Sequence, residues 1–260
     1  MHFSTALAAT GVTFDFLEGP NAIYILIALI AIAGYLLGSL PAGYLIARAK
    51  GIDIRKHGSG NIGATNVFRT LGKPWGILVF VIDALKGVLA VCLAAKYVYY
   101  HPVVWSHVVT TEPGIVTSVT KPFPPAAAAI IGGIAAIIGH NFPVWLKFKG
   151  GKGVATSLGV LAGLAPLAAL IAFIVWALVF FGTGYVSLAS IVAALIVPVA
   201  ANFTASPDEK TPLICFTSVA ALLIVLRHRP NIRRLLNGTE NRFRKNKATS
   251  AETKPESKQP

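Results

Sequence analysis

The chain has 260 residues, of which 55% are apolar and only 13% charged, and this composition is too apolar for an ordinary soluble domain. The net charge of +13 could indicate a nucleic-acid-binding protein, but 19 of the 23 lysines and arginines fall in three segments, 48–73, 141–153 and 227–260. Basic residues confined to some of the connections between apolar runs are typical of the cytoplasmic loops of a membrane protein. We therefore expect an integral membrane protein without a nucleic-acid partner.

Six apolar runs follow one another along the chain and predict membrane-spanning helices, which need about 20 such residues each. The runs are 22–47, 76–95, 125–139, 157–181, 186–201 and 211–226. None of them alternates apolar and polar residues as the strand of a membrane barrel does. No basic residue precedes the first run, whereas a secretory signal carries a basic n-region, so this run is expected to be a retained span.

The number of spans follows from the charges and from one proline. The basic segments place the N-terminus outside and the C-terminus in the cytoplasm, which requires an odd number of crossings. Pro166 interrupts the fourth run, and a proline ends or kinks a helix, so we predict a short helix over 154–164 and a longer one over 166–181. The prediction is an all-α integral membrane protein with about seven transmembrane helices.

Residues 1–244 are expected to form a single membrane domain. The last residues, 245–260, are almost all polar and are expected to be a disordered cytoplasmic tail. Residues 96–124 are expected to form a long external loop.

The first basic segment contains HGSGNIGATN, in which Gly58, Gly60 and Gly63 spell G-x-G-x-x-G. A dinucleotide-binding loop of this pattern lies between a strand and a helix of a soluble βαβ unit, but here a membrane span precedes it. A Walker A loop needs a lysine where Ala64 stands. Glycines still let backbone N–H groups approach an anion, so we predict a phosphate site; a turn without a ligand is the simpler alternative.

The other two basic segments suggest similar chemistry. Lys149 and Lys152 lie among glycines just before a predicted helix N-terminus, which is a favourable place for an anion. Lys147, between aromatic residues, is more typical of an anchor at the membrane interface. The third segment, RHRPNIRRLLNGTENR at 227–242, is consistent either with ligand binding or with contact to anionic lipid.

Several polar residues fall within the predicted spans. A helix kink without a ligand is the favoured interpretation of Ser39 and Pro41, and Ser187 by itself resembles an ordinary helix-start serine. Asp83 and Lys86 are three residues apart on one helix face, which favours a structural ion pair over a functional site. No cluster of Cys, His and acidic residues has metal-ligand spacing, so neither a metal nor a cofactor is predicted.

Four motifs taken together resemble the bacterial membrane glycerol-3-phosphate acyltransferases that take their acyl group from acyl phosphate. They are GSLP at 38–41, IRKHGSGNIGATNVFRTLG at 54–72, GHNFPVWLKFKGGKGVAT at 139–156 and HRPNIRRLLNGTE at 228–240. The motifs occur in that family's order and spacing, within residues 22–241. The resemblance implies seven transmembrane helices with the motif loops on the cytoplasmic side, in agreement with the count from the charges and from the proline.

The resemblance also implies roles for individual residues. Those expected to take part in the chemistry are Arg69, His140, Lys149, Lys152 and His228. Those expected to bind substrate are Ser39, Ser59, Gly60, Asn61, Gly63, Thr65, Asn66, Asn141, Gly150, Gly151, Ser187, Asn231, Gly238 and Glu240.

The implied reaction transfers a fatty acyl group from acyl phosphate to the sn-1 hydroxyl of glycerol 3-phosphate, giving lysophosphatidic acid and phosphate as the first step of phospholipid biosynthesis. Acyl phosphate is already activated, so positioning and charge neutralisation are the main requirements. No nucleophile–base–acid triad is evident, and the His-x₄-Asp pair of other acyltransferases is absent because Trp145 follows His140 at the aspartate position. Either His140 or a phosphate oxygen of the donor is expected to accept the proton.

The expected setting is the bacterial inner membrane, with the active site facing the cytoplasm. The chain is expected to act as a monomer in contact with membrane lipid and downstream of an acyl-phosphate-forming enzyme. A transporter for organic phosphates is the main alternative, but transporters bind substrate at the bilayer midplane between repeats, and no clear repeat is present. A lipid-binding scaffold would explain the charges but not the glycine spacing.

Overall fold

The computed structural model describes residues 21–101, 103–112 and 115–243, and the predicted tail lies outside them. The first span is built from two helices, α1 (Ala22–Gly38) and α2 (Ala42–Ala49). They are separated at the position of Pro41, which has no N–H to continue the helical hydrogen-bond ladder. The interruption confirms the predicted kink and leaves the carbonyl of Leu40 available to a side chain from a neighbouring helix.

A short amphipathic helix and the longest helix of the chain come next. Helix α3 (Ala64–Leu71) begins directly after the glycine-rich stretch, and α4 (Lys73–Tyr100) follows it. Gly72 lies between them with φ of 96°, a conformation that glycine adopts far more readily than other residues. This turn sets the N-terminus of the second span beside the glycine-rich stretch.

A hairpin occupies most of the segment expected to be a plain loop. Strand β1 (Val104–Glu112) pairs antiparallel with β2 (Ile115–Pro122), with Val104 opposite Pro122 and Val108 opposite Ser118. Both strands are rich in valine and threonine, β-branched residues that favour strands. The hairpin was not predicted, because its strands are short and mixed in polarity and so form no long apolar run. The hairpin lies between two spans and leaves the helical membrane fold unchanged.

The remaining helices include the predicted split at Pro166. Helices α5 (Pro125–Asn141), α6 (Val154–Leu164) and α7 (Pro166–Thr183) are followed by α8 (Val186–Thr204), α9 (Pro207–Arg227) and α10 (Arg229–Leu236). Helix α6 ends at Leu164, and Ala165 alone separates it from Pro166, which occupies the first position of α7. The predicted short helix over 154–164 is thereby confirmed residue for residue.

Six helical spans in the described part of the chain are long and apolar enough to cross a membrane, and α6 is the shorter seventh. At about 1.5 Å per residue, α6 covers roughly 16 Å, about half of a ~30 Å hydrocarbon core. It packs closely against α4, where Gly159 lies against the backbone of Ala84, and Gly87 against the backbone of Thr156. Small residues that let helix backbones approach are the usual basis of membrane helix packing, so one face of α6 is covered by α4.

Candidate active site

A polar cavity of about 130 Å³ lies where the N-termini of α3, α6 and α8 meet the junction of α9 and α10. The three basic segments of the sequence, although distant along the chain, all contribute side chains to it. Twelve of the predicted residues line the cavity: Ser59, Asn61, Gly63, Thr65, Asn66, Arg69, His140, Lys152, Ser187, His228, Asn231 and Glu240.

The glycine-rich stretch is held in shape by Asn66. This buried amide accepts a hydrogen bond from the backbone N–H of Ser59 at 2.9 Å and donates to the carbonyls of Asn61 at 2.8 Å and His57 at 3.0 Å. Gly58 has φ of 56°, and a Cβ there would collide with the Asn66 side chain. Asn66 therefore organises the loop backbone.

Arg69 joins the glycine-rich segment to the end of the described chain. Its guanidinium donates to the carbonyl of Asn241 at 3.2 Å and lies 4.5 Å from the centre of the Phe243 ring. Burial lowers the pKa of Arg69, whereas the charge of Glu240 opposes that effect. An arginine has so high an ordinary pKa that it stays charged here, so Arg69 supplies a permanent positive charge at the cavity edge.

The second basic segment contributes Lys152, but not Lys149, to the lining of the polar cavity. Lys152 is largely buried and donates to the side-chain carbonyl oxygen of Asn231. Burial, the largest cause, lowers the pKa of Lys152 to about 8, and the positive charges of Arg234 and Arg227 act in the same direction. Lys149 is exposed and does not line the cavity. The two lysines, indistinguishable by sequence context, thus occupy different environments.

The glycines of this segment shape it through backbone contacts. Arg227 donates to the carbonyls of Gly150 at 3.1 Å and Gly151 at 2.7 Å, while the Gly151 N–H donates to the carbonyl of His140 at 3.0 Å. A Cβ at Gly151 would collide with Nε2 of His140. These glycines therefore hold the loop against the end of α5 and leave Lys152 pointing into the cavity.

Glu240 is the centre of the third segment. Its Oε1 accepts from Ser187 Oγ at 2.8 Å and from Asn231 Nδ2 at 2.6 Å, and its Oε2 accepts from Arg234 Nε at 2.7 Å. Burial by itself would raise the pKa of Glu240, but hydrogen bonds from Asn231, Arg234 and Ser187 lower it below its ordinary value. The carboxylate therefore fixes Asn231, which in turn accepts the hydrogen bond from Lys152.

His228, at the junction of α9 and α10, is buried with a defined tautomer. Its Nδ1 lies 2.8 Å from the carbonyl oxygen of Ile224, and because a carbonyl only accepts, Nδ1 carries the proton. Burial and the nearby Lys152 charge lower the pKa of His228 to about 4, so the ring is neutral at pH 7. Nε2 is then an acceptor on a side chain that lines the cavity.

His140 belongs to a buried charged cluster with Asp83 and Lys86. Lys86 Nζ lies 2.7 Å from Asp83 Oδ1 and 2.9 Å from His140 Nδ1, and it donates to the carbonyl of Leu40 at 3.0 Å. Leu40 lies in the break between α1 and α2, and its carbonyl accepts from both the lysine and the backbone N–H of Ala42, the latter at 3.1 Å. Since the ammonium can only donate, His140 Nδ1 is an acceptor. The predicted ion pair is present and also links three helices.

Seven predicted binding or catalytic residues do not line the polar cavity: Ser39, Gly60, Asn141, Lys149, Gly150, Gly151 and Gly238. Ser39 is fully buried beside the charged cluster, and its hydroxyl has no hydrogen-bond partner among the described residues. Asn141 is also fully buried, against Gly153. Gly60 and Gly238 provide turns with φ of 70° and 68°.

Three residues that shape the site were not among the predicted ones: Arg227, Arg234 and Gly153. Arg234 pairs with Glu240, and Gly153 caps α6 at the cavity wall with φ of 77°. A basic residue six positions before a carboxylate across the Asn237-Gly238 turn was an available signal for the Arg234–Glu240 pair. Arg227 carried no local signal, because its carbonyl acceptors lie 76 and 77 residues away.

An apolar groove of about 380 Å³ adjoins the polar cavity. Seven residues line both spaces: Ala64, Thr65, Phe80, Val154, Trp176, Val186 and Ser190. The groove opens sideways between α4 and α7, where Ile77 and Phe173 are about half exposed. The fold and the site together therefore define an integral membrane protein whose cationic pocket is joined to a space suited to an aliphatic chain.

Comparison with known proteins places the chain in a family. The family model described as glycerol-3-phosphate acyltransferase matches residues 28–238. A glycerol-3-phosphate acyltransferase of Geobacter sulfurreducens is 43% identical over 81% of this chain and 94% of the relative, and one from Geobacter metallireducens is 47% identical over 84% and 99%.

Two solved structures are similar to this chain in fold and in sequence. A crystal structure of PlsY (YgiH), an integral membrane glycerol 3-phosphate acyltransferase, in its glycerol 3-phosphate form superposes with a TM-score of 0.69 at 39% identity, over 84% of this chain and 95% of that one. The lysophosphatidic acid form of the same protein gives a TM-score of 0.68 at 38% identity over the same shares. The chain belongs to the glycerol-3-phosphate acyltransferase family.

Proposed function

We propose that this protein transfers a fatty acyl group from acyl phosphate to the sn-1 hydroxyl of glycerol 3-phosphate, forming lysophosphatidic acid and phosphate. The observation that carries the proposal is the direct connection between the cation-lined polar cavity and the apolar groove. Such a connection suits a donor with a phosphate at one end and an aliphatic chain at the other. Family membership supports the acceptor substrate.

The polar cavity contains what two phosphates require. Lys152, Arg69 and Arg234 provide positive charge, and α6 begins at Val154 with its first-turn N–H groups beside the cavity. A helix N-terminus is a favourable anion site because its first N–H groups have no partner within the helix. With both phosphates neutralised, the glycerol hydroxyl can be held next to the acyl carbon, and this positioning is the main catalytic requirement.

A phosphate oxygen of the donor is the proton acceptor we propose. His140 is poorly suited to that role, because its Nδ1 accepts from Lys86 and its Nε2 packs against Gly151. His228 Nε2 accepts no hydrogen bond from the described part of the chain, but a pKa of about 4 makes the ring a weak base. We assign His228 the role of orienting the hydroxyl through Nε2.

A substitution of His140 tests this assignment. His140→Gln keeps an acceptor for Lys86, and we expect turnover to fall far less than the roughly 10²–10⁴-fold typical of a lost general base. A loss within that range, with unchanged thermal stability, would restore His140 as the proton acceptor. His140→Ala is the comparison variant, since it removes the acceptor for Lys86 as well.

We place the active site at the cytoplasmic face of a bacterial inner membrane. The basic segments around the cavity support this orientation through the positive-inside pattern. A monomer suffices for the proposal, since one chain provides both the cavity and the groove. The enzyme would use acyl phosphate released by a separate acyl-phosphate-forming enzyme.

The donor assignment is tested with purified protein in detergent or vesicles. The protein is given glycerol 3-phosphate together with acyl phosphate, acyl-CoA or an acyl carrier protein thioester, and lysophosphatidic acid is measured. We expect product from acyl phosphate only. Product from a thioester alone would overturn the donor assignment, and no product from any donor would overturn the proposed function.

A further inference from the structure

The apolar groove has a closed end. The groove extends away from the polar cavity along two helices. Along α6 it runs seven residues, from the shared Val154 to Leu161, and along α8 it runs seven residues, from the shared Ser190 to Val197. At about 1.5 Å per residue this extension is roughly 10 Å, about a third of a ~30 Å hydrocarbon core. Ala172 on α7 and Phe216 on α9 line the same end. We call Leu161, Ala172, Val197 and Phe216 the groove floor.

Packed side chains close the groove behind the floor. Leu161 and Ala172 form one buried cluster with Ala168, Ala169 and Ala200. Phe216 belongs to a second cluster that includes Ala201 and Leu213. The residues behind the floor are buried and do not line the groove.

We infer that the groove floor, with Phe216 as its largest side chain, determines the acyl-chain length beyond which additional carbons no longer raise kcat/KM. The inference rests on the proposed function, because it assumes that the aliphatic chain of the donor occupies the groove. Each methylene that becomes buried in the groove contributes about four-fold in kcat/KM. Once the chain end reaches the floor, further carbons must leave through the side opening between α4 and α7 and contribute little.

Two substitutions change the floor in opposite directions. Phe216→Ala removes the ring and lengthens the groove, whereas Val197→Phe fills its end. Leu213→Ala is the matched control, because Leu213 lies three residues from Phe216 in the same buried cluster but does not line the groove. Leu213→Ala therefore removes comparable core packing without changing the space that faces the chain.

The experiment measures kcat/KM for a series of saturated acyl phosphates that differ by two carbons. We expect the wild-type values to rise with length and then level off. The length at which they level off should move to longer chains in Phe216→Ala, to shorter chains in Val197→Phe, and not at all in Leu213→Ala. For the longest chains Val197→Phe should lose at least ten-fold relative to the wild type, and this loss should become smaller as the donor chain becomes shorter.

Two results would overturn the inference: an unchanged profile in Val197→Phe, or an equal shift in Phe216→Ala and Leu213→Ala. The Val197→Phe comparison decides the question if Phe216→Ala does not fold. If acyl phosphate is not a donor but a thioester is, the donor assignment fails while the same series of thioesters still tests the floor. No turnover from any donor would overturn both the proposed function and the inference.

Discussion

Lys152 gives the sharpest test of the site, because its pKa of about 8 places a titration close to neutral pH. Its charged form is the one that attracts a phosphate. A group of this pKa is about 90% protonated at pH 7 and about 10% protonated at pH 9, so kcat/KM for glycerol 3-phosphate should fall about ten-fold across that interval. The substrate phosphate has a second pKa of about 6 and is already about 90% ionised at pH 7, so its own titration contributes little to the decline.

Lys152→Arg is the perturbation that isolates this titration. An arginine stays charged up to pH 12 or so, so the variant should lose the decline between about pH 7 and pH 9 even if its activity at neutral pH is lower. Lys149→Arg is the matched control, since Lys149 is exposed and outside the cavity; it should keep the wild-type profile. The assay is initial-rate kinetics over that pH range at saturating acyl phosphate.

A flat wild-type profile, or the same decline in Lys152→Arg, would refute the assignment. The lowered pKa of Lys152 also predicts how the stability of the fold depends on pH. Its folded-state pKa is below the ordinary value of 10.5, so the charged lysine destabilises the fold by about 3 kcal/mol below pH 8, and the penalty disappears as the pH rises toward 10.5. Lys152→Met should therefore be inactive yet more stable at pH 7 by about 1–3 kcal/mol, with the difference vanishing near pH 10.

Three further substitutions address the frame around the site. Glu240→Gln removes one charge-assisted hydrogen bond, worth about 1.5–3 kcal/mol, so kcat/KM for glycerol 3-phosphate should fall about 10–100-fold. Gly151→Ala places a Cβ against His140, and overpacking of this kind should lower stability by about 1–3 kcal/mol and reduce activity. Lys86→Leu leaves the buried Asp83 carboxylate without its ammonium partner and with only the His140 Nδ1 contact at 3.5 Å, at a cost of about 3–5 kcal/mol, whereas the double variant Asp83→Leu/Lys86→Leu should lose less.

Each of these predictions has a control and an outcome that contradicts it. Glu209→Gln changes an exposed carboxylate and should leave kinetics unchanged; a loss below three-fold in Glu240→Gln would refute its organising role. Gly182→Ala is the control for Gly151→Ala, because a Cβ added at Gly182 would meet open space. If the two variants lost the same stability, a collision with His140 could not explain the loss in Gly151→Ala. A double variant less stable than Lys86→Leu, measured by thermal unfolding in detergent, would contradict the unpaired-charge explanation.

Much of the fold was predictable because helical spans are determined by local composition. The break between α6 and α7 followed from Pro166, which cannot continue a helix, and the interruption at Pro41 followed for the same reason. The hairpin β1–β2 was not predicted, although its valine- and threonine-rich strands carried a local signal. Within residues 21–243 as described, six long spans and the shorter helix α6 agree with the predicted count of about seven.

The site was predictable only as a set of segments. The sequence indicated that three basic stretches would meet, and twelve of the predicted residues line one cavity. It could not distinguish Lys152 from Lys149, since both lie among glycines. Nor could it find Arg227, which holds the loop through carbonyls that lie far away along the chain.

The amino-acid sequence by itself determined the membrane spans, their proline breaks and the chemistry of the loops, because each depends on neighbouring residues. The tertiary structure decided which polar groups face one another. Lys152 and Asn231 are 79 residues apart, and Ser187 and Glu240 are 53 apart, yet both pairs form hydrogen bonds. A hydrogen bond needs its two groups within about 3 Å, and only helix packing brings groups from distant parts of the chain so close.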